Sequence, residues 1–152
     1  MELLGRDHPI QIVSPPPVDP GSGALSPPPV AKILVVEDDP DNLTLARYVV
    51  EDTGHQVLLA TTGAEAIAHL HQHTVTLVLM DILLPDLDGF ALLSKLRQGG
   101  HNRTVPVIAV TALTQVAMRQ QILAADFDGY LPKPYGIDAL ETLIRHYCGH
   151  LV

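Results

Sequence analysis

The fold is decided by the stretch Leu77-Val78-Leu79-Met80-Asp81-Ile82-Leu83-Leu84-Pro85-Asp86-Leu87-Asp88-Gly89. Its first part is a nearly continuous apolar run, which is typical of a strand buried on both faces in a parallel sheet. The run meets Asp81, and a segment rich in turn-forming residues follows. Because ligands of open α/β sheets bind at the carboxyl ends of the strands, Asp81 is a candidate functional residue. Taken alone, it could equally be a cap for the turn that follows.

Strand and helix patterns alternate on both sides of this stretch, from Lys32 onward. Short apolar runs predict strands, and apolar residues at helical spacing predict the helices between them. Asp39 and Pro40 suit the N-cap and first position of one helix, and Gly54 suits its C-terminal end. The predicted strands are 33–36, 56–60, 75–80, 105–110 and 129–131, and the predicted helices are 40 to about 53, 62–72, 89–98, 115–124 and 137–147.

This alternation predicts an α/β fold in which helices cover both faces of an open sheet. Crossover connections between parallel strands are almost always right-handed, which limits the topologies to consider. We therefore expect a flavodoxin-like doubly wound sheet of five parallel strands in the order 2-1-3-4-5, with five helices.

Composition excludes several classes of protein. The formal net charge is -8, and the nine Lys and Arg residues are scattered, whereas nucleic-acid binding needs a concentrated basic face. A single cysteine, Cys148, cannot form an intrachain disulfide and suits a reducing compartment. We find neither a signal-peptide pattern nor an apolar run of the ~20 residues that a membrane helix needs. We therefore expect a cytoplasmic protein that binds neither nucleic acid nor membrane.

The first 30 residues differ from the rest, since they contain eight of the chain's 13 prolines. Proline lacks a backbone donor and favours extended polyproline II, so we expect residues 1–30 to be a disordered tail or linker. A short apolar piece, residues 10–13, could instead add to the edge of a sheet. Residues 31–148 would then form the folded domain, and residues 149–152 a C-terminal tail.

Polar side chains follow four of the predicted strands at their carboxyl ends. Glu37 and Asp38 follow strand one, Asp81 ends strand three, Thr111 follows strand four and Lys133 follows strand five. Each could serve an ordinary structural role, such as a helix cap or a solvated charge. In the proposed strand order, however, all of them meet at one edge of the sheet. Three carboxylates in one pocket require a cation, and oxygen ligands suit Mg²⁺. A metal beside an aspartate, a lysine and a hydroxyl is a set suited to phosphoryl transfer.

Four segments resemble the receiver domain of bacterial two-component response regulators. They are Ile33-Leu34-Val35-Val36-Glu37-Asp38-Asp39, the Met80–Gly89 stretch, Val110-Thr111-Ala112-Leu113 and Gly129-Tyr130-Leu131-Pro132-Lys133-Pro134. The resemblance implies a phosphoprotein in which Asp81 accepts a phosphoryl group from a sensor histidine kinase or a histidine phosphotransfer protein. It also implies Mg²⁺ bound by Glu37, Asp38, Asp81 and the backbone carbonyl of Leu83.

Further expectations follow from the same resemblance. Thr111 and Lys133 would contact the phosphoryl oxygens, and the Lys133–Pro134 bond would be cis. Thr111 and Tyr130 would form the switch, with Tyr130 moving inward on phosphorylation. The change would be felt by a downstream protein target, or by a second copy in a phosphorylation-dependent dimer, at the face of helix four, strand five and helix five.

The sequence departs from fast-hydrolysing receivers at two positions. Leu83 and Leu113 lie two residues beyond Asp81 and Thr111, where those receivers carry polar side chains that help to place the attacking water. Leucine cannot orient water, so we expect slow self-dephosphorylation rather than enzyme activity on another substrate.

Two alternatives stay open for the chain as a whole. It could be a receiver cut from a hybrid histidine kinase, with the proline-rich segment as a former linker. It could also be an aspartyl phosphatase of the haloacid dehalogenase type, which places its nucleophile in an Asp-x-Asp motif after strand one. The sequence here is Glu37-Asp38-Asp39 and lacks the usual continuation of that motif. We expect a single-domain regulator that relays phosphate or binds a partner.

Overall fold

The computed structural model describes residues 11–12, 30–112 and 115–149. Within these ranges, strands and helices alternate as the sequence predicts. The strands are β1 (Gln11–Ile12), β2 (Lys32–Val36), β3 (Gln56–Ala60), β4 (Leu77–Asp81), β5 (Val107–Thr111) and β6 (Gly129–Pro132). The helices are α1 (Pro40–Asp52), α2 (Gly63–Gln72), α3 (Gly89–Arg97), α4 (Val116–Ala124) and α5 (Ile137–Cys148).

The sheet confirms the predicted topology. Its strand order is β1-β6-β5-β4-β2-β3, and the five strands from β2 to β6 run parallel. Numbered along the chain, these five give the order 2-1-3-4-5 that was expected for a flavodoxin-like fold. Every residue of β4 and β5 is buried, because both strands are central and helices cover both faces.

Side chains of the strands alternate between two apolar cores. Ile33 and Val35 face α1 and α5 on one side of the sheet, and Leu34 and Val36 face α2, α3 and α4 on the other. The same alternation continues in β6, where Leu131 joins the first core and Tyr130 the second. Because alternate residues point to opposite faces, a slip of one residue would exchange the two cores.

Local capping fixes where three of the helices begin. Asp39 accepts a hydrogen bond from the backbone of Asp41, and Pro40 occupies the first turn of α1. Thr62 and Asp88 cap α2 and α3 in the same way. Gly54 follows α1 with a φ of 91°, a conformation that favours glycine. The sequence therefore places these helix starts to within one residue.

Two strands begin two residues later than predicted. The third predicted strand began at Val75, but the Val75 N–H donates to the Asn102 side chain, so β4 begins at Leu77. The fourth began at Val105, but Pro106 has no donor for the ladder, and β5 begins at Val107. Both strands also extend one residue further than predicted, which makes Asp81 and Thr111 their last residues.

The N-terminal segment contributes one short strand to the sheet. β1 pairs antiparallel with β6, with Gln11 opposite Tyr130 and Ile12 opposite Gly129. This is the sheet-edge arrangement that was the alternative to a solvated tail for residues 10–13. The remainder of the predicted tail, residues 1–10 and 13–29, and the C-terminal residues 150–152 lie outside the described residues. Among the described helices, none is long and apolar enough to cross a membrane.

Candidate phosphoacceptor and metal site

Asp81 lies buried at the carboxyl end of the central strand β4. Its Oδ1 accepts a hydrogen bond from the Leu83 backbone at 3.0 Å, and its Oδ2 accepts one from Lys133 Nζ at 3.0 Å. Each carboxylate oxygen is thus held in place by a hydrogen bond of its own. The local sequence accounts for the first bond, since the chain turns directly after Asp81.

Glu37 and Asp38 follow β2, which is the neighbour of β4 in the sheet. The Glu37 carboxylate is buried and lies 2.6 Å from Lys133 Nζ through Oε1, while Oε2 accepts a bond from the Asp39 backbone. Asp38 is exposed, but one of its oxygens lies within 4.8 Å of oxygens of Glu37 and Asp81. The three predicted carboxylates are therefore brought together at one edge of the sheet.

Lys133 connects this acidic group to the end of β6. Its ammonium contacts both Glu37 and Asp81, and its backbone N–H donates to the Thr111 carbonyl at 2.8 Å. The Lys133–Pro134 peptide bond is cis, as predicted. Thr111 is buried at the end of β5, beside β4 and opposite Pro132 in register. The predicted threonine is thus the last residue of β5, the strand beside β4, and the predicted lysine directly follows β6, the next strand in the sheet.

Burial and charge shift the pKa values of these groups in opposing ways. Burial raises the pKa of Glu37 above 4.5, and its hydrogen bond to Lys133 only partly offsets this; repulsion by Asp81 raises it further. Burial would lower the pKa of Lys133, but the hydrogen bonds to Glu37 and Asp81 outweigh it and the pKa is raised. The lysine is therefore held as a cation between two acids.

The charges suit a divalent cation. Three carboxylates lie close together and one ammonium contacts two of them, so the ionised cluster carries two uncompensated negative charges. Glu37 and Asp81 are buried, which makes that repulsion costly. The donors are all oxygen atoms, which Mg²⁺ prefers. Among the described residues, this is the one group of three or more acidic, histidine or cysteine side chains close enough to share a metal ion.

Three further residues named by the sequence analysis are Leu83, Tyr130 and Leu113. Leu83 is 61% exposed, and its backbone N–H donates a hydrogen bond to Asp81 Oδ1. Tyr130 is 7% exposed and belongs to the core that α2, α3 and α4 cover. Leu113 lies outside the described residues.

Sequence reasoning missed three residues that shape this edge of the sheet. Burial raises the pKa of Tyr135 to about 12, and the negative charges of Glu37 and Asp81 add to the effect. Asp86 accepts bonds from the Gly63 and Ala64 backbones at 2.8 and 3.1 Å and thereby joins the loop after β4 to α2. A capping aspartate can be recognised when it directly precedes its helix. Asp86 caps a helix that begins more than 20 residues earlier in the chain, so the local sequence does not reveal this role.

Gly89 is the third of these residues. A Cβ at this position would lie 2.8 Å from the Ile82 Cα and 3.0 Å from the Asp81 carbonyl oxygen. The Gly89 N–H also donates to the Ile82 carbonyl at 2.7 Å. Only glycine allows the start of α3 to approach the residue after Asp81 this closely.

Comparison with known proteins finds relatives that align with about three quarters of the chain. The family model described as the response regulator receiver domain matches residues 33–145. An uncharacterised 14.6 kDa protein of Leptolyngbya boryana is 39% identical over 118 residues, which are 76% of this chain and 88% of that protein. The signal transduction histidine-protein kinase BarA of Shigella flexneri is 36% identical over 76% of this chain, which spans only 12% of the kinase.

A solved structure supports the same grouping. The receiver domain of the sensor histidine kinase PA1611 from Pseudomonas aeruginosa, with a magnesium ion coordinated in its active-site cleft, is 31% identical. The match has a TM-score of 0.71 and covers 78% of this chain and 98% of that domain.

Proposed function

Because the chain belongs to the family of response regulator receiver domains, we propose that Asp81 is its phosphoacceptor. The observation that supports this assignment most directly is the Lys133–Asp81 ion pair at 3.0 Å beside Glu37 and Asp38. Asp81 is the member of this group that lies at the end of the central strand and contacts the lysine. A sensor histidine kinase or histidine phosphotransfer protein would supply the phosphoryl group.

In this proposal an oxygen of Asp81 bonds to phosphorus while the nitrogen–phosphorus bond of the donor phosphohistidine breaks. The imidazole leaves with the bonding electrons and takes up a proton. Lys133 balances negative charge on the phosphoryl oxygens, and Thr111 donates its hydroxyl to one of them. The protein contributes mainly position and charge, since phosphoryl transfer needs little covalent chemistry from it.

We propose Mg²⁺ as the cofactor, held by Glu37, Asp38, Asp81 and the backbone carbonyl of Leu83. The three carboxylates supply the oxygen ligands and the uncompensated negative charge that Mg²⁺ requires. Bound there, the ion would neutralise charge that develops on the phosphoryl oxygens. The magnesium ion in the PA1611 receiver domain, a relative of this chain, supports the proposal.

The signal would leave the site through β5 and β6. Phosphorylation would draw Thr111 toward Asp81, and the Thr111 carbonyl already bonds to the Lys133 backbone at the end of β6. Tyr130, two positions before Pro132, would change its population between the inward position and an outward one. The face formed by α4, β6 and α5 would then bind a downstream protein or a second phosphorylated copy.

We also propose that the aspartyl phosphate hydrolyses slowly, because Leu83 and Leu113 offer no polar group to orient water. The test is the loss of radiolabel from the phosphorylated chain in Mg²⁺ buffer. A half-life of minutes or longer is expected, and a half-life of seconds would contradict the proposal.

The main experiment is phosphotransfer profiling with purified histidine kinases and Mg²⁺, comparing the chain with Asp81→Asn. The expected result is labelling of the chain and none of the variant, while an exposed control such as Asp52→Asn labels normally. Labelling of Asp81→Asn at the normal level would overturn the assignment. Acetyl phosphate serves as a second donor if none of the kinases tested is the physiological one.

The relatives are consistent with two domain organisations, a single-domain regulator and the receiver of a larger kinase. The chain spans most of the small Leptolyngbya protein, as a single-domain regulator would, but about an eighth of BarA, as the receiver of a hybrid kinase would. The haloacid dehalogenase alternative has no support from the site. Asp39 would be the second aspartate of the Asp-x-Asp motif, but it caps α1 and accepts hydrogen bonds from the Asp41 backbone and the Asn42 side chain.

A further inference from the structure

The outer edge of β6 is occupied by a segment that is not part of the family domain. β1, Gln11–Ile12, lies outside the matched residues 33–145, yet it pairs with Gly129 and Tyr130 of β6. β6 is the last strand on that side of the five-stranded parallel sheet. Without β1, its outer edge would present unpaired backbone donors and acceptors, which readily pair with strands of other molecules.

The backbone of β6 has a donor directed at β1. The Asp128 N–H donates to the Val107 carbonyl on β5 at 2.8 Å, on the inner side of the strand. Because successive N–H groups of a strand point to opposite edges, the N–H of the next residue, Gly129, points outward. Gly129 is the residue that faces Ile12 in register. An extended segment at this edge can therefore accept a hydrogen bond from the Gly129 N–H.

The tether between β1 and the domain allows this pairing within one molecule. Seventeen residues separate Ile12 from Val30. Even at the ~3.1 Å per residue of polyproline II they could span about 50 Å, whereas the four strand spacings of ~4.8 Å from β1 to β2 amount to about 19 Å. A segment tethered this way has an effective concentration on the order of millimolar at the edge. It therefore competes well against free strands at micromolar concentration.

We propose that the outer edge of β6 is a strand-addition surface, and that the chain's own segment around Gln11–Ile12 occupies it and excludes extended strands of other molecules. The occupant favoured by the structure is the segment of the same molecule. The corresponding segment of a second copy is the competitor with identical chemistry. The proposal does not depend on the phosphorylation of Asp81. Its consequence for signalling is that the segment covers part of the face formed by α4, β6 and α5.

The experiment uses the full-length chain and its Gln11→Pro/Ile12→Pro variant, in which both backbone donors of β1 are lost. Amide NMR signals of Gly129 and Tyr130 report on the edge, and signals of β4 report that the sheet is intact. A matched control places the same two prolines at Ser22 and Ala24, within the tether. The expected result is that Gly129 and Tyr130 signals shift in the first variant and stay unchanged in the control.

A synthetic peptide that copies residues 8–14 then probes the vacated edge. We expect saturable shifts of Gly129 in the Gln11→Pro/Ile12→Pro chain at millimolar peptide, and at least tenfold weaker binding to the unaltered chain, because its own segment competes. The same peptide with proline at positions 11 and 12 should bind neither. Equal binding to both chains, or no binding to either, would overturn the proposal.

Pairing within one molecule is distinguished from pairing between two copies by sedimentation velocity. The unaltered chain is expected to be a monomer at micromolar concentration. A dimer that the two prolines convert to a monomer would show that the segment pairs between molecules and would overturn the proposal. If the variant does not fold, amide exchange in the unaltered chain decides. Gly129 should then exchange at least tenfold more slowly than outward amides of β3, which is the edge strand at the other side of the described sheet.

Discussion

Lys133 Nζ lies 3.0 Å from Asp81 Oδ2, although the two residues are 52 positions apart in the sequence. The contact exists because β4 and β6 both end at the same edge of a parallel sheet, with only β5 between them. The same ammonium contacts Glu37, so one cation serves two buried acids. The site is therefore held together by a charge balance that a metal ion would alter.

Replacing Lys133 with methionine is expected to lower the free energy of unfolding by about 3 kcal/mol without metal, because two buried carboxylates lose their cation. Mg²⁺ should restore more stability to this variant than to the unaltered chain, since it would supply the missing positive charge. Urea denaturation with and without Mg²⁺ measures both effects. Lys95→Met, which removes an exposed lysine of α3, is the control and should change neither. Equal stabilisation by Mg²⁺ in all three chains would contradict this charge balance.

The raised pKa of Glu37 predicts that Mg²⁺ affinity depends on pH. Protons compete with the metal for this carboxylate, and burial makes them compete at a higher pH than at an ordinary glutamate. Affinity should fall by up to about tenfold per pH unit below the pKa of Glu37 in the folded protein. Calorimetric Mg²⁺ titrations across acidic to neutral pH provide the measurement. In Glu37→Gln the affinity should be weaker and lose this part of its pH dependence.

The same shift has a consequence for stability in the absence of metal. The unfolded state ionises Glu37 near its ordinary value of 4.5, whereas the folded state retains the proton to a higher pH. Glu37 therefore lowers stability progressively as the pH rises through that window, and the loss persists above it. Glu37→Gln should flatten this part of the stability profile. If Glu37→Gln and the unaltered protein lose stability in parallel as the pH rises, then Glu37 is not responsible for the loss.

Much of the fold was predictable because its signals are local. Asp39 and Pro40 mark the start of α1 by their own chemistry, and the apolar run before Asp81 marks a buried strand without reference to the rest of the chain. The right-handed crossover rule limited the possible topologies, and the order 2-1-3-4-5 was the first choice among those that remained. From that order, the approach of Lys133 to Asp81 could be expected before any distance was known.

Other contacts could not be predicted because they depend on where loops pass in space. Nothing near Asp86 in the sequence indicates that it bonds to the start of α2, and nothing near Tyr135 indicates that burial raises the pKa of its hydroxyl. The sequence allows residues 10–13 to add to a sheet edge, but it does not indicate that β6 is that edge. The strand ends at Val75 and Val105 were placed wrongly since apolar pattern alone does not show where ladder bonds begin.

Gly89→Ala is expected to lower the free energy of unfolding by about 1–3 kcal/mol. The added Cβ would lie 2.8 Å from the Ile82 Cα, and backbone atoms on both sides leave it little room to move. Gly99→Ala is the matched control, because a Cβ there meets no atom within 4 Å. Urea denaturation of the two variants compares the effects directly. A destabilisation that is the same in both would indicate a general cost of replacing glycine and not a close contact at Gly89.

Asp86→Ala is expected to weaken Mg²⁺ binding severalfold, although Asp86 does not belong to the acidic group. Asp86 fixes the loop after β4 by accepting bonds from Gly63 and Ala64, and the carbonyl of Leu83 that we propose as a metal ligand lies in that loop. Because these bonds lower the pKa of Asp86, its contribution to stability is present above its ordinary value of 3.8 and is lost as the pH falls through the lowered pKa.

The measurement for this variant compares phosphorylation by acetyl phosphate at limiting and at saturating Mg²⁺, together with calorimetric Mg²⁺ titration. If the loop is only loosened, saturating Mg²⁺ should restore the normal rate of phosphorylation. Asp86→Ala should therefore be phosphorylated slowly only at limiting Mg²⁺. Asp52→Ala, an exposed aspartate at the end of α1, should behave as the unaltered chain. If Asp86→Ala binds Mg²⁺ normally, then the bonds to α2 stabilise the fold but do not position the metal-binding loop.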